Sequence, residues 1–451
     1  MGSSHTRSLF GTDGVRGVAN RDLTPELAMR LGRALAQQLP EGGEVLLGRD
    51  TRRSGPMLEA ALAAGIASAG GDVALGGVLP TPAVADLVAR GPAVAGAVIS
   101  ASHNPFPDNG IKLFGPDGFK LPDQEEADIE RAMEDAGVRP EGAALGAVAP
   151  REGAALDYLD ALLERFDLDL SGKRLCVDCA NGATVTTAPE AFRRLGAEVT
   201  LIGETPDGVN INVGCGSTDL GALSSAVRSF DADLGLAFDG DGDRLLAVDG
   251  DGEVVDGDKI LATVALWARG RGALPGDAVV TTTMTNLGFR RAMAAEGIEV
   301  RWTDVGDRYV LQEMRDGGFL LGGEQSGHMI NLSYGPTGDG LSAALQLLAA
   351  LGDSGQSLAQ AASRVERLPQ KLVSVRVARK DGLADAEAVW ELTRRCESEL
   401  ADDGRVVVRA SGTEPLVRVM VEAPTADQCE RWANEIADAA LRELGDASAE
   451  E

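Results

Sequence analysis

The amino-acid sequence predicts an α/β protein: three repeated α/β domains with mixed, mainly parallel sheets, followed by a smaller C-terminal α+β domain. Three observations predict it. The chain has 451 residues, too many for one ordinary core, so several domains of about 100–200 residues are expected. Short apolar runs alternate three times with Ala- and Leu-rich segments of helical length, the pattern of βαβ units. After Leu368 the alternation gives way to three longer strand-like runs and two amphipathic segments.

The first round predicts strand Val45–Leu47, a helix from about Met57, strand Val73–Leu75, a helix near Val84–Val88 and strand Gly96–Ser100. The second predicts strand Leu175–Asp178, a helix around Pro189–Leu195, strand Val199–Ile202, helix Leu223–Phe230 and strand Leu234–Phe238. The third predicts helix Lys259–Trp267, strand Val279–Thr282, helix Phe289–Ala294, strand Glu299–Trp302, helix Asp307–Arg315 and strand Phe319–Leu321. The tail supplies strands LVSVRVA, VVVRA and LVRVMVEA with helices at about Ala386–Leu400 and Ala426–Leu441. Gly/Pro- and acid-rich Gly137–Gly153 reads as the first linker, so the expected domains are 1–152, 153–253, 254–367 and 368–451. Met1–His5 and Asp446–Glu451 read as loose ends, and His5 is given no role.

Composition narrows the function. Hydrophobic residues make up 44% with only 4% aromatic, which suits cores of Ala, Val and Leu in open α/β sheets. A net charge of −28 repels nucleic acid and anionic lipid, so neither is an expected partner. Six lysines against 36 arginines, with so many carboxylates, fit either a salty cytoplasm that screens self-repulsion or simply an acidic protein from a GC-rich genome. Five cysteines are too few for a disulfide framework, and Cys176 and Cys179 read as part of a buried strand and its end, not as a redox or metal pair. With no run of about 18–20 apolar residues and no signal pattern, a cytoplasmic location is expected.

A polar loop follows the last strand of every round, where open α/β sheets gather ligands: SASHNPF, DGDGDR and GGEQSGH. In the second, Asp239, Asp241 and Asp243 alternate with glycines in a tight turn. Three hard oxygens facing one point call for a cation; a bare acidic hairpin tip would repel itself. A Ca²⁺ loop of the EF-hand kind needs Gly and Glu where this chain has Arg244 and Gly250, so Mg²⁺ is the better match. Ser102 stands just past a strand end, presented by Asn104 and Pro105; it is either a nucleophile or a hydrogen-bonding loop residue, and G-x-S-x-G is absent. Lys112, in the apolar stretch NGIKLF, is a candidate for proton transfer if desolvation lowers its pKa, or else an ordinary snorkelling lysine.

Arg409, Ser411, Gly412 and Thr413 lie between two strands in RASGTE, with Arg418 on the following strand; they suit either a phosphate clamp or a plain hairpin turn. Arg16 sits among glycines in FGTDGVRG, which brings backbone and guanidinium to an anion. Glu324, Ser326 and His328 alternate as sugar-contacting groups would, or as turn polarity would. No lysine precedes Ser or Thr, which excludes a Walker A loop and P-loop phosphoryl transfer.

Together these motifs resemble the α-D-phosphohexomutase superfamily over nearly the whole chain. FGTDGVRGVAN, ISASHNPFPDNGIKLF, NINVGCGSTDL and GEQSGH are most similar to its phosphoglucosamine mutase branch. The resemblance implies four domains around a central cleft. It implies a phosphorylated Ser102, with one Mg²⁺ per chain held by Asp239, Asp241, Asp243 and Ser102 through its phosphate oxygen. Lys112, Arg16, His103 and His328, with Arg244, would surround the reacting oxygens, one of them as acid or base. Glu324 and Ser326 would hold sugar hydroxyls, and Arg409, Ser411, Gly412, Thr413 and Arg418 the non-reacting phosphate. The implied reaction interconverts glucosamine 6-phosphate and glucosamine 1-phosphate through glucosamine 1,6-bisphosphate, with a phosphoglucomutase/phosphomannomutase activity as the alternative. A hexosamine phosphate is the implied partner, and a homodimer is allowed. From outside the family, a magnesium-dependent phosphatase or serine hydrolase, or a non-catalytic sugar-phosphate sensor, would share parts of this constellation.

Overall fold

The computed structural model describes residues 9–11, 13–135, 137, 139–411 and 415–445. Met1–His5, Asp446–Glu451, Gly412 and Thr413 lie outside the described residues. Two compact units emerge: one of the chain up to Met284 together with Gly297–Arg364, the other of Thr285–Glu296 with the chain from Val365 onward.

The first unit contains three sheets. The largest has six strands in the order Val15–Val18, Asp108–Phe114, Ala95–Ile99, Glu44–Arg49, Asp72–Val78, Val148–Pro150. Its middle strands run parallel because helices Gly55–Ala67 and Thr81–Arg90 carry the chain between them. The second sheet runs Val254–Val255, Leu245–Asp249, Leu234–Phe238, Arg174–Asp178, Glu198–Ile202. The third runs Glu299–Thr303, Ala278–Thr282, Leu321–Gly323, Met329–Asn331.

One device recurs in all three. A parallel strand turns back as an antiparallel neighbour, pairing Ile99 with Ile111, Phe238 with Leu245 and Gly323 with Met329. The turns so formed are the SASHNPF, DGDGDR and EQSGH segments. The sequence places these loops at strand ends; the returning strands that pin both ends of each loop are the addition made by the structure.

Other differences have local causes. Gly137–Gly153 is more than a linker, because Val148–Pro150 adds a parallel edge strand beside Asp72–Val78; proline is tolerated at such an edge. Helix Pro25–Gln37 starts at Thr24, whose hydroxyl accepts from the Leu27 N–H, with Pro25 in the first turn. It crosses helix Gly55–Ala67 closely: a Cβ on Gly32 would lie 2.3 Å from the Leu62 carbonyl oxygen, and one on Gly65 would lie 2.1 Å from that of Met29. Helix Gly340–Ser354, capped by Asp339, is buried on nearly every side.

The second unit carries the antiparallel sheet Gln370–Arg376, Leu416–Glu422, Arg405–Ala410 under helices Glu387–Leu400 and Ala426–Leu444. Val417, Val419 and Val421 face Trp432, Ile436 and Ala440 in its core. Helix Leu287–Ala295, expected with the third round, belongs to this unit: the buried Glu422 carboxylate accepts from the Leu287 N–H at 2.9 Å and pairs with Arg405 at 2.7 Å. Among the described residues no helix is long and apolar enough to cross a membrane.

Because backbone sits where the side chain would go, Gly65→Ala is expected to lower stability by about 1–3 kcal/mol. Thermal or urea unfolding checks this, and an unchanged midpoint would show that the two helices are not packed backbone to backbone.

Candidate active site

The turn Asp239–Arg244 is fastened by its carbonyls. Thr81 N–H donates to Asp241 O at 2.8 Å, Ala183 N–H to Gly240 O at 2.8 Å and Gly340 N–H to Gly242 O at 3.0 Å. Its two glycines are required by crowding: a Cβ on Gly240 would lie 2.5 Å from the Ser102 carbonyl oxygen, and Gly242 has φ +75°. The backbone thus leaves the carboxylates one direction to point. Asp239 and Asp241 are fully buried, Asp243 nearly so, and one oxygen of each lies within 4.8 Å of the others.

Burial, then the charges of Asp243 and Asp241, push the Asp239 pKa well above the usual carboxylate range. Asp241 goes the other way, because Lys112 and Thr81 outweigh its burial and hold it low. Asp241 Oδ1 and Asp243 Oδ1 are buried with no hydrogen-bond partner among the described residues. Two orphaned hard oxygens beside a third carboxylate fit a divalent cation of the Mg²⁺ type.

Ser102 lies in the turn between Ala95–Ile99 and Asp108–Phe114, 1% exposed, with φ +51°. A left-handed conformation costs a residue with a Cβ about 1–2 kcal/mol, and it is a recurrent mark of functional turns. The hydroxyl donates to Asp239 Oδ2 at 2.5 Å and lies 3.2 Å from His103 Nδ1. Burial, then the Arg244 and Arg16 guanidinium groups, lower the His103 pKa to about 4, so its imidazole is neutral near pH 7.

Lys112 differs from expectation. It is buried, but among carboxylates: Nζ lies 2.9 Å from Asp241 Oδ2, 3.2 Å from Asp13 Oδ2 and 3.4 Å from Asp243 Oδ2. Desolvation opposes its charge, yet Asp13, Asp241 and Asp243 outweigh it, and its pKa rises well above that of a free lysine. The side chain is a fixed ammonium, and a lowered pKa for proton transfer is corrected accordingly.

Several participants escaped the sequence reading. Asp13 pairs with Arg16, Lys112 and Lys120, and Lys120 Nζ also reaches Asp307 at 2.5 Å. Thr81 Oγ1 donates to Asp241 Oδ2 at 2.6 Å. Arg52 and Asn212 both donate to the Ser102 carbonyl oxygen. Asp13 stood inside the quoted FGTDGVRG and Asn212 inside NINVGCGSTDL, which was their available signal.

Arg16 reaches the cluster through Asp13. The EQSGH turn joins it through Arg244, whose backbone bridges to His328 and whose Nε lies 3.8 Å from Asp243 Oδ1. His328 is 4% exposed; neither ring nitrogen has a hydrogen-bond partner among the described residues, and Nε2 is 3.7 Å from Asp307 Oδ2. Glu324 and Ser326 are half-buried on the same turn, and burial raises the Glu324 pKa. In the second unit Arg409 and Arg418 are direct cross-strand partners, and Ser411 is buried with its N–H on Leu416 O at 2.8 Å.

Comparison with known proteins places the chain in a family. Four family models of phosphoglucomutase/phosphomannomutase match in order: α/β/α domain I over residues 7–139, domain II over 156–252, domain III over 256–368 and the C-terminal domain over 372–439. The phosphoglucosamine mutase of Saccharopolyspora erythraea is 53% identical over 96% of this chain and 99% of its own length. That of Halalkalibacterium halodurans is 51% identical over 97% and 99%. A phosphoglucomutase/phosphomannomutase family protein from Burkholderia thailandensis superposes with a TM-score of 0.80 at 25% identity, covering 97% of this chain and 98% of that one. The fold is shared as well by Aspergillus fumigatus N-acetylphosphoglucosamine mutase, at a TM-score of 0.67 and 19% identity over 98% and 97% of the two chains. With four matched domains and relatives above 50% identity along nearly its full length, the chain belongs to the phosphoglucomutase/phosphomannomutase family, and within it to the phosphoglucosamine mutases.

Proposed function

We propose that this chain interconverts glucosamine 6-phosphate and glucosamine 1-phosphate, with Ser102 carrying the phosphoryl group between turnovers. The observation that carries the reading is the Ser102 hydroxyl 2.5 Å from Asp239, inside a buried three-carboxylate turn with an ammonium group against it. The names of the relatives, at 53% and 51% identity, support glucosamine as the sugar.

Asp239, Asp241 and Asp243 would hold one Mg²⁺ together with an oxygen on Ser102. Bound there, it supplies electrostatic relief to the transferring phosphoryl group, the largest contribution available to such chemistry. Lys112, ion-paired with Asp241 and Asp243, adds positive charge beside them. Phospho-Ser102 gives its phosphoryl group to the C1 hydroxyl of glucosamine 6-phosphate: the P–Oγ bond breaks, the P–O1 bond forms, and the hydroxyl proton leaves to a nearby base. The resulting 1,6-bisphosphate turns over and returns the C6 phosphoryl group to Ser102: the P–O6 bond breaks, the P–Oγ bond forms, the serine proton has Asp239 and the neutral His103 imidazole within reach, and O6 takes up the proton released in the first transfer. His328, with neither ring nitrogen hydrogen-bonded among the described residues, is the second candidate base, beside Arg16 and Arg244 as charge stabilisers.

Glu324 and Ser326 are assigned to sugar hydroxyls. Arg409, Ser411 and Arg418, with Gly412 and Thr413 of the same loop, are assigned to the non-reacting phosphate. Five free, buried cysteines agree with a cytoplasmic setting.

Intact-protein mass should show a single phosphate on Ser102 that is chased onto added glucosamine 6-phosphate, more readily than onto glucose or mannose 6-phosphate. Ser102→Ala and Asp241→Ala should each abolish turnover, while Arg409→Ala should mainly raise KM; wild-type rates in Ser102→Ala would end the covalent reading.

Crowded carboxylates make a second prediction. Asp239→Asn relieves repulsion in the cation-free protein, so its unfolding midpoint should rise by about a few degrees in EDTA, while the Mg²⁺-dependent increase expected of the unsubstituted protein should be lost. An undiminished Mg²⁺ response in the variant would place the cation elsewhere.

A further inference from the structure

We propose that Arg52 and Asn212 are positioning residues for phosphoryl transfer: they grip the Ser102 loop by its main-chain carbonyls and so aim Oγ at the carboxylate turn. The inference rests on the reading of Ser102 as the phosphorylated residue.

Arg52 is fully buried. A guanidinium withdrawn from water is tolerated only when its donors are used, and here all five find acceptors. Nε donates to Asp50 Oδ2 at 2.8 Å. Nη1 donates to the carbonyl oxygens of Pro105 at 2.5 Å and Asp108 at 3.0 Å, and Nη2 to those of Ser102 and Asn104, both at 2.8 Å. Four of the five acceptors therefore belong to one short loop. A planar fork that meets four carbonyls at once fixes their relative directions, which a point charge such as lysine does not.

Asn212 meets the same loop independently. Its Nδ2 bridges Ser102 O at 2.9 Å and Asn104 O at 3.2 Å, so both carbonyls are held twice. Its own N–H donates to Ala180 O at 2.9 Å, and φ is +59°. The Ser102 N–H is tied as well, to Ser100 Oγ at 2.9 Å; that hydroxyl donates at 2.6 Å to Asp50, the carboxylate that also holds Arg52. With donor and acceptor of its backbone both fixed in a left-handed conformation, Ser102 has only its side chain left to move. Neither Arg52 nor Asn212 hydrogen-bonds the turn bearing Glu324 and Ser326 among the described residues. Loosening the grip should therefore misdirect Oγ without altering how the sugar is held.

Steady-state kinetics on glucosamine 6-phosphate with glucosamine 1,6-bisphosphate and Mg²⁺ test this. Asn212→Gly removes the donor while keeping a backbone that tolerates positive φ, and Asn212→Asp keeps the size but points a carboxylate at two carbonyl oxygens. Both should lower kcat by about 10- to 100-fold, Asp more than Gly, with KM within about threefold of the unsubstituted enzyme. Arg52→Lys should lose more; if it does not fold, the Asn212 variants decide. A kcat within about threefold of the unsubstituted enzyme in both Asn212 variants, or a loss residing in KM, overturns the proposal. Ser102→Ala, run alongside, separates the two claims. An inert Ser102→Ala with active Asn212 variants rejects the positioning role alone, whereas an active Ser102→Ala rejects the phosphoserine itself.

Discussion

Three carboxylates kept together in a buried turn are the constraint on which the rest of the first unit depends. Like charges a few ångströms apart in a poorly solvated pocket repel strongly, and the chain answers in two ways. Lys112 is driven into the cluster and held ionised by Asp241, Asp243 and Asp13. The carbonyls of the turn are then bonded by Thr81, Ala183 and Gly340, from three distant stretches of chain, so the side chains cannot swing apart. Among the described residues two carboxylate oxygens, Asp241 Oδ1 and Asp243 Oδ1, stay without a hydrogen-bond partner beside the Ser102 hydroxyl, the arrangement on which the proposed cation and phosphoserine rest.

The same economy explains why three domains of one plan are used. In each, a parallel strand returns as an antiparallel neighbour and the turn is clamped at both ends. A hydroxyl, a carboxylate set and the turn bearing Glu324 and Ser326 are then offered by three hairpins pinned at both ends. Against a net charge of −28 on the whole protein, the carboxylate turn is a local exception: buried Lys112 and the half-buried Arg244 set positive charge beside Asp241 and Asp243.

Much of this was legible in the sequence, and what was not has identifiable reasons. LGLAF followed by DGDGDR announces a buried strand and a charged turn, since apolar run and glycine-spaced carboxylates are both local signals. Ser102 was legible as a strand-end hydroxyl, but its left-handed φ was not, being imposed by bonds to Arg52, Asn212 and Ser100. Lys112 misled because its apolar neighbours in sequence are not its neighbours in space; Asp13 and Asp241 arrive from turns elsewhere in the chain and reverse the direction of its pKa. Arg52 drew no reading at all, because the carbonyls it grips lie far along the chain, at Ser102, Asn104, Pro105 and Asp108. Helix Gly340–Ser354 has no polar face, so amphipathic periodicity was silent there. Helix Leu287–Ala295 has the right local pattern, yet its membership in the second unit is set by Glu422, far along the chain.

The account stands on a cation and a serine sharing one pocket. Anomalous diffraction from crystals grown with Mn²⁺ in place of Mg²⁺ tests that most directly. A single strong peak should appear at about 2.0–2.3 Å from one oxygen each of Asp239, Asp241 and Asp243 and from an oxygen on Ser102. A peak at another carboxylate group, or none at the turn under saturating metal, would contradict it.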